Sequence, residues 1–184
     1  MHETPEDLER LQKLLDDSYA AAGEHLREVI TPERRLDAST LTARLDGMRL
    51  LVLATVTADG RPITGPVDGI FYRGSFHFGS SPHSVRFRHI GARPQVSATH
   101  LPGEELSVSV HGRAAVLDMA DPANAGLRKT VLDIYLPRYG PEWEQFMDSG
   151  VYARIDATRM FTFHMDPEDP SADGAPAGDE VAPS

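Results

Sequence analysis

The chain has 184 residues, 40% of them hydrophobic and 25% charged, a globular balance that points to one domain with terminal decoration. Its formal charge of −10 argues against non-specific nucleic-acid binding, which needs Lys and Arg to neutralise phosphates, and the absence of cysteine removes disulfides, thiolate catalysis and Cys-based metal sites. No apolar run approaches the roughly 20 residues of a membrane span, and the acidic start MHETPEDLERLQK lacks the basic-then-apolar order of a signal peptide, so a cytoplasmic protein that touches no membrane is expected.

Residues 4–29 read as one amphipathic helix: Thr4 can cap it, Pro5 suits its first turn, and Leu8, Leu11, Leu15, Ala22, Leu26 and Val29 recur at helical spacing. Thr31-Pro32 is a second helix-start signal, and Ser39-Thr40 opens a short helix to about Leu45. From Arg49 to Thr57 the chain turns aliphatic and β-branched, ending on the hairpin signal Ala58-Asp59-Gly60. The next strand, Arg61 to Tyr72, holds Pro62 and Pro66. Proline cannot donate to a ladder, so an irregular strand is expected there. Arg73-Gly74 turns the chain into Ser75–Gly79, with Phe76 and Phe78 on one face and His77 on the other.

The segment SSPHSVRFRHIGARP follows, giving a short helix that Pro94 stops. Residues 95–101 and 106–118 alternate as strands around the turn Pro102-Gly103-Glu104; Ser107, Ser109 and His111 point one way, Val108 and Val110 the other. Residues 121–148 read as helical, broken at Pro137 and Pro141, and residues 151–164 form a last strand or bent strand pair. From Asp166 the chain is rich in Pro, Gly, Ala, Asp and Glu, a composition expected to be disordered. The strands come in hairpins, so the expected fold is a mainly β, α+β protein: a six-stranded antiparallel barrel with flanking helices. The expected organisation is a helical extension over residues 1–38, a barrel domain over 39–165 and an acidic tail over 166–184.

Chemistry concentrates after the third strand. Ser80, Ser81 and Ser84, then Arg86 and Arg88, lie between a strand and a helix start. Unpaired N–H groups, hydroxyls and a guanidinium there could hold a phosphate. Each feature has a plainer reading, since Ser before a helix is commonly only its N-cap and a cationic run is commonly a solvated face. No HxxxH, HExxH or HxH spacing occurs among the histidines, so no metal site is expected and they read as solvent-facing or satisfied polar positions. No Gly-x-Ser-x-Gly turn suggests serine hydrolysis. Tyr135, Tyr139 and Trp143 read as helix packing, or as rings lining a pocket for a flat substrate.

The order of residues 53–62 (LATVTADGRP), Pro66-Val67, residues 76–80 (FHFGS), Ser84-Val85-Arg86 and Ala92-Arg93-Pro94 resembles the pyridoxamine 5′-phosphate oxidase-like, FMN-binding split-barrel family, which includes flavin- and deazaflavin-dependent oxidoreductases. The resemblance covers about residues 40–118 well and continues loosely to His164. It implies a homodimer with FMN held in the cleft between subunits. Pro66, Val67 and Asp68 would offer backbone groups to the flavin ring, Ser80, Ser81, Ser84 and Arg86 would hold the phosphate, and Ser107 would fall near the ring. It also implies a hydride-transferring oxidoreductase acting on a small planar substrate, with a nicotinamide or deazaflavin donor and no side chain identified as catalytic. Alternatives within the same resemblance are F420 as cofactor, with Arg61, Arg88 and Arg93 as candidates for its acidic tail, a non-catalytic flavin- or haem-binding module, and a scaffold that has lost its ligand. Two departures stand out. Val85 replaces a basic position of the family, and residues 161–164 (FTFH) do not match the arginine-histidine pattern that binds pyridoxal substrates.

Overall fold

A computed structural model describes residues 2–165. The tail expected over 166–184 lies outside the described residues. Helices Pro5–Ala20 (α1), Glu24–Val29 (α2) and Ala38–Arg44 (α3) precede strands Met48–Val56 (β1), Pro62–Tyr72 (β2) and Ser75–Ser80 (β3). Helix Val85–Ala92 (α4) leads into strands Gln95–Gly103 (β4) and Leu106–Leu117 (β5). Helices Ala125–Tyr139 (α5) and Trp143–Ser149 (α6) then connect to the last strand, Val151–His164 (β6). The strands close into an antiparallel barrel in the order β1-β2-β3-β6-β5-β4, as the hairpin pattern predicts.

Alternation places Leu51 and Leu53, Phe76 and Phe78, Val108 and Val110, and Ile155 and Met160 inside the barrel, where all are buried. Leu11 and Leu15 of α1 and Leu41 of α3 join the same apolar cluster, so the leading helices complete the barrel core. A second cluster lies on the outside of the wall. Leu127, Val131 and Tyr135 of α5, four residues apart, pack with Met147 of α6 against Ile70 and Tyr152.

Three expectations need correction. The helix expected over 4–29 is broken: α1 ends at Ala20 and Gly23, in an extended conformation, starts α2. Helix α1 buries a face against the barrel whereas α2 buries no residue, so nothing holds the second half to the axis of the first. Pro137 does not break α5, which runs on to Tyr139. The ring removes one ladder donor in the last turn, and Gly140, at φ 86°, ends the helix three residues later. Finally, β2 is regular. It pairs with β1 without a register shift from Met48↔Ile70 to Val56↔Pro62, because its prolines lie where the opposite edge is unpaired: β3 meets β2 only from Gly69 to Tyr72.

Helix α1 is tied to the β2–β3 turn through Asp7. The Asp7 carboxylate accepts from the Thr4 backbone N–H (2.9 Å) while Thr4 caps the Asp7 N–H, and Asp7 pairs with Arg10 and with Arg73 Nε (2.9 Å). Arg73 sits at φ 51° beside Gly74 at φ 78°, a left-handed pair that makes the tight hairpin turn. At the other end of α1 the Tyr19 hydroxyl meets Thr162 and accepts the Thr162 N–H (2.8 Å).

Burial alone would raise the Asp7 pKa, but the Thr4 N–H and the two guanidiniums outweigh it and hold the carboxyl well below its ordinary 3.8. A depressed folded pKa stabilises fully above the unfolded value and is lost as pH falls below it. Asp7→Asn is therefore expected to cost about 1–3 kcal/mol at neutral pH. In urea titrations the gap from the parent should shrink as pH falls below about 4; a gap that stays constant to pH 2 contradicts the assignment.

Candidate functional site

The first half of β2 has one free edge. Arg86 Nη2 donates to the Pro66 carbonyl (2.9 Å), which shows that Pro66 turns its backbone polar groups away from β1 and toward that edge. Backbone direction repeats every second residue along a strand, so Asp68 presents its N–H and C=O on the same side. A ligand lying along this edge can therefore bond to main chain that the ladder does not use.

Directly beyond the end of β3 the chain makes a tight turn, with Ser84 N–H donating to Ser81 O (3.0 Å), and enters α4. Ser84 is the N-cap, its hydroxyl accepting from Phe87 N–H (3.4 Å). That bond uses a lone pair and leaves the O–H free to donate. With Phe87 and Arg88 N–H satisfied by Ser84, the N–H groups of Val85 and Arg86 have no helical acceptor. Val85 itself is exposed and adds no charge.

A cleft of about 410 Å³ joins these features. Pro66, Val67 and Asp68 form one side, Ser80, Ser81 and Arg86 one end, and Tyr135, Tyr139, Trp143 and Phe146 of the α5–α6 hairpin the facing wall. The structure thus brings six of the eight sequence candidates to one cleft. Ser84 sits just outside, as the cap of α4. Ser107 is elsewhere, on β5 opposite Phe163, and does not line the cleft within a single chain.

The aromatic wall answers the choice between packing and lining: the rings do both. Tyr135 is buried and stacked on Trp143 (centroids 4.4 Å, 17°) and on Tyr139 (5.9 Å, 19°), while its hydroxyl donates to Asp68 Oδ2 (3.2 Å). Burial and the facing Asp68 charge push the phenol pKa far up, so Tyr135 acts as a fixed donor. Gly79 permits the close fit at the floor, since a Cβ there would stand 2.6 Å from the Tyr152 ring. Phe146, Gly79 and Tyr152 were missed in the sequence. Only the aromatic spacing of Tyr135, Tyr139 and Trp143 signalled this wall.

Four of the histidines have side-chain partners. His89 pairs with Thr55 (2.9 Å), His100 with the Leu50 carbonyl (2.9 Å) and His111 with Ser97 (2.8 Å). His77 is buried behind the cleft with Nδ1 on the Ser75 carbonyl (3.1 Å). Among the described residues no cluster of three or more His, Asp or Glu could hold a metal, and no helix is long and apolar enough to cross a membrane.

A six-stranded closed barrel with a cleft at the β2–β3 opening defines the fold class. The family model for pyridoxamine 5′-phosphate oxidase matches residues 39–154, and the chain belongs to that family. Among solved structures it is similar to a conserved hypothetical protein of Mycobacterium tuberculosis (TM-score 0.59, 19% identity, 72% of this chain and 88% of that one). It is also similar to the haem storage protein HutZ of Vibrio cholerae (0.55, 16%, 73% and 94%) and to an FAD-binding protein of Mesorhizobium loti (0.52, 24%, 72% and 98%). At these identities the likeness is one of fold. No curated protein matches the chain.

Burial, reinforced by the Arg154 charge, pulls the His77 pKa from 6.5 down to about 4. A base whose folded pKa is lowered stabilises fully above its unfolded value and loses that contribution as pH falls toward the folded one. Unfolding free energy should therefore drop by up to about 3 kcal/mol between pH 6.5 and 4. His77→Gln is expected to flatten this window in urea titrations; an unchanged slope would assign the pH dependence to other groups.

Proposed function

We propose that this protein is a flavin-dependent oxidoreductase that binds FMN as a homodimer and passes hydride to or from a small planar substrate. The observation that carries the reading is the convergence of Ser80, Ser81 and Arg86 with the free edge of β2 on one cleft. Those are the positions at which the family resemblance puts the phosphate and the ring. The residues fit the group. The start of α4 offers N–H groups and a guanidinium to a phosphate, and β2 offers main-chain polar groups to a ring edge.

When bound, the flavin supplies the hydride chemistry. The chain orients and shelters it. Arg86 steadies the phosphate end while already anchored on Pro66, Tyr135 fixes Asp68, and the α5–α6 rings line the cleft. FMN is favoured over F420 because one of the cations considered for an acidic tail is paired with a carboxylate: Arg61 meets Asp59 (2.7 Å). Dimerisation is supported by Leu50, Val52 and Leu101, apolar side chains 52–63% exposed on β1 and β4. A second copy on that face would also bring Ser107 of β5 toward the neighbouring cleft.

The purified protein is expected to take up FMN at micromolar concentration, followed by its visible spectrum, and to sediment as a dimer. Failure to bind either FMN or F420 would sink the reading. Arg86→Ala should weaken FMN binding by about 1.5–3 kcal/mol, the cost of a lost charged hydrogen bond; an unchanged affinity would remove Arg86 from the site.

A further inference from the structure

The cleft is electrically divided. At one end stand Arg86, Ser80 and Ser81, which favour an anion. About 7 Å further along β2, two residues on from Pro66, stands Asp68, half-buried and facing the aromatic wall. Among the described residues its only hydrogen-bond partner is the Tyr135 phenol on Oδ2. Among the described residues no Lys or Arg pairs with it. A carboxylate drawn from water beside apolar rings is costly unless a donor or a cation faces it. The free oxygen Oδ1 has the capacity to accept one.

The wall opposite is shaped for a flat ring. Tyr135 backs Trp143 from the buried side, and the Phe146 ring stands 6.2 Å from Trp143 at 45°, itself 63% exposed. Trp143 is half-buried and lines the cleft. Stacking on an indole held in this way costs little further ordering, because its partner already fixes the rotamer.

We propose that the α5–α6 end of the cleft is a substrate subsite for a planar aromatic amine, one that stacks on Trp143 and donates an N–H to Asp68, and that it rejects phosphorylated and carboxylated ligands. An anion placed there would meet the Asp68 charge with no cation in reach of it, whereas the phosphate of the proposed flavin goes to the opposite end. The word substrate rests on the flavin reading. The subsite itself does not, and the experiment separates the two.

Three probes of the same size class test it on the full-length protein: 2-aminoquinoline, its anionic counterpart 2-naphthoate, and cyclohexylamine, a donor without a flat ring. Affinity is read by equilibrium dialysis, with and without FMN. Location is read from emission of the ligand-free protein, since Trp143 is the chain's single tryptophan. The expected result is quenching of Trp143 by 2-aminoquinoline, which binds at least about ten-fold tighter than either of the others. Asp68→Asn, which keeps an acceptor for Tyr135, should lower aminoquinoline affinity about ten-fold and leave 2-naphthoate no weaker. Trp143→Leu should lower it as well.

Naphthoate quenching Trp143 at as low a concentration as the amine, no amine binding, or an Asp68→Asn protein of unchanged amine affinity would overturn the subsite. FMN uptake without amine binding removes the subsite and spares the flavin reading. Amine binding without FMN uptake does the reverse.

Discussion

A proline has no N–H to give to a neighbouring strand, and the site depends on where that deficit falls. Pro66 sits in the middle of a strand that pairs with β1 from Pro62 to Ile70. Its deficit is harmless only on an edge that no strand occupies. Strand β3 accordingly meets β2 over Gly69–Tyr72 and no further. The barrel closes elsewhere, through β3 on β6 and β4 on β1. What remains is an opening lined by main chain whose carbonyl at Pro66 is taken by Arg86.

That opening would be a shallow groove without the α5–α6 hairpin. The second apolar cluster, built from Leu127, Val131, Tyr135 and Met147 against Ile70 and Tyr152, fixes the hairpin over the β2–β3–β6 wall. The ion pairs of Arg128 with Glu144 (3.1 Å) and Asp148 (2.7 Å) hold α6 against α5. As exposed pairs they contribute little energy and chiefly set orientation. Packing thus positions the aromatic wall, and the wall gives the strand edge a facing side, so that Ser80, Ser81, Arg86 and Asp68 line one cleft with it.

The strands were legible because each carries a period-two pattern between recognisable turns. Arg73-Gly74 marks a hairpin that the structure makes with two left-handed residues, and the six strand bounds fall close to their expected positions. The helices were legible less well. Continuous apolar spacing over residues 4–29 could not reveal that α2 buries none of its residues fully, and Pro137 could not reveal that its missing donor falls in a final turn. In the candidate site, Ser80, Ser81 and Arg86 announced themselves as hydroxyls and a cation at a helix start. Asp68 was marked only for its main chain, and its carboxylate's partner, Tyr135, lies 67 residues away.

The sequence by itself determined the barrel, the position of its hairpins and the capped helix start after β3, because those follow from local periodicity, turn residues and helix capping. Only the tertiary structure decided that, among the described residues, β3 leaves the outer edge of the first half of β2 unpaired, that His77 is buried, and that Asp68 faces aromatic rings with no Lys or Arg paired to it. Each of those depends on which distant element covers a residue. Burial, and the charge it tolerates, is a property of that covering and is written in no single stretch of chain.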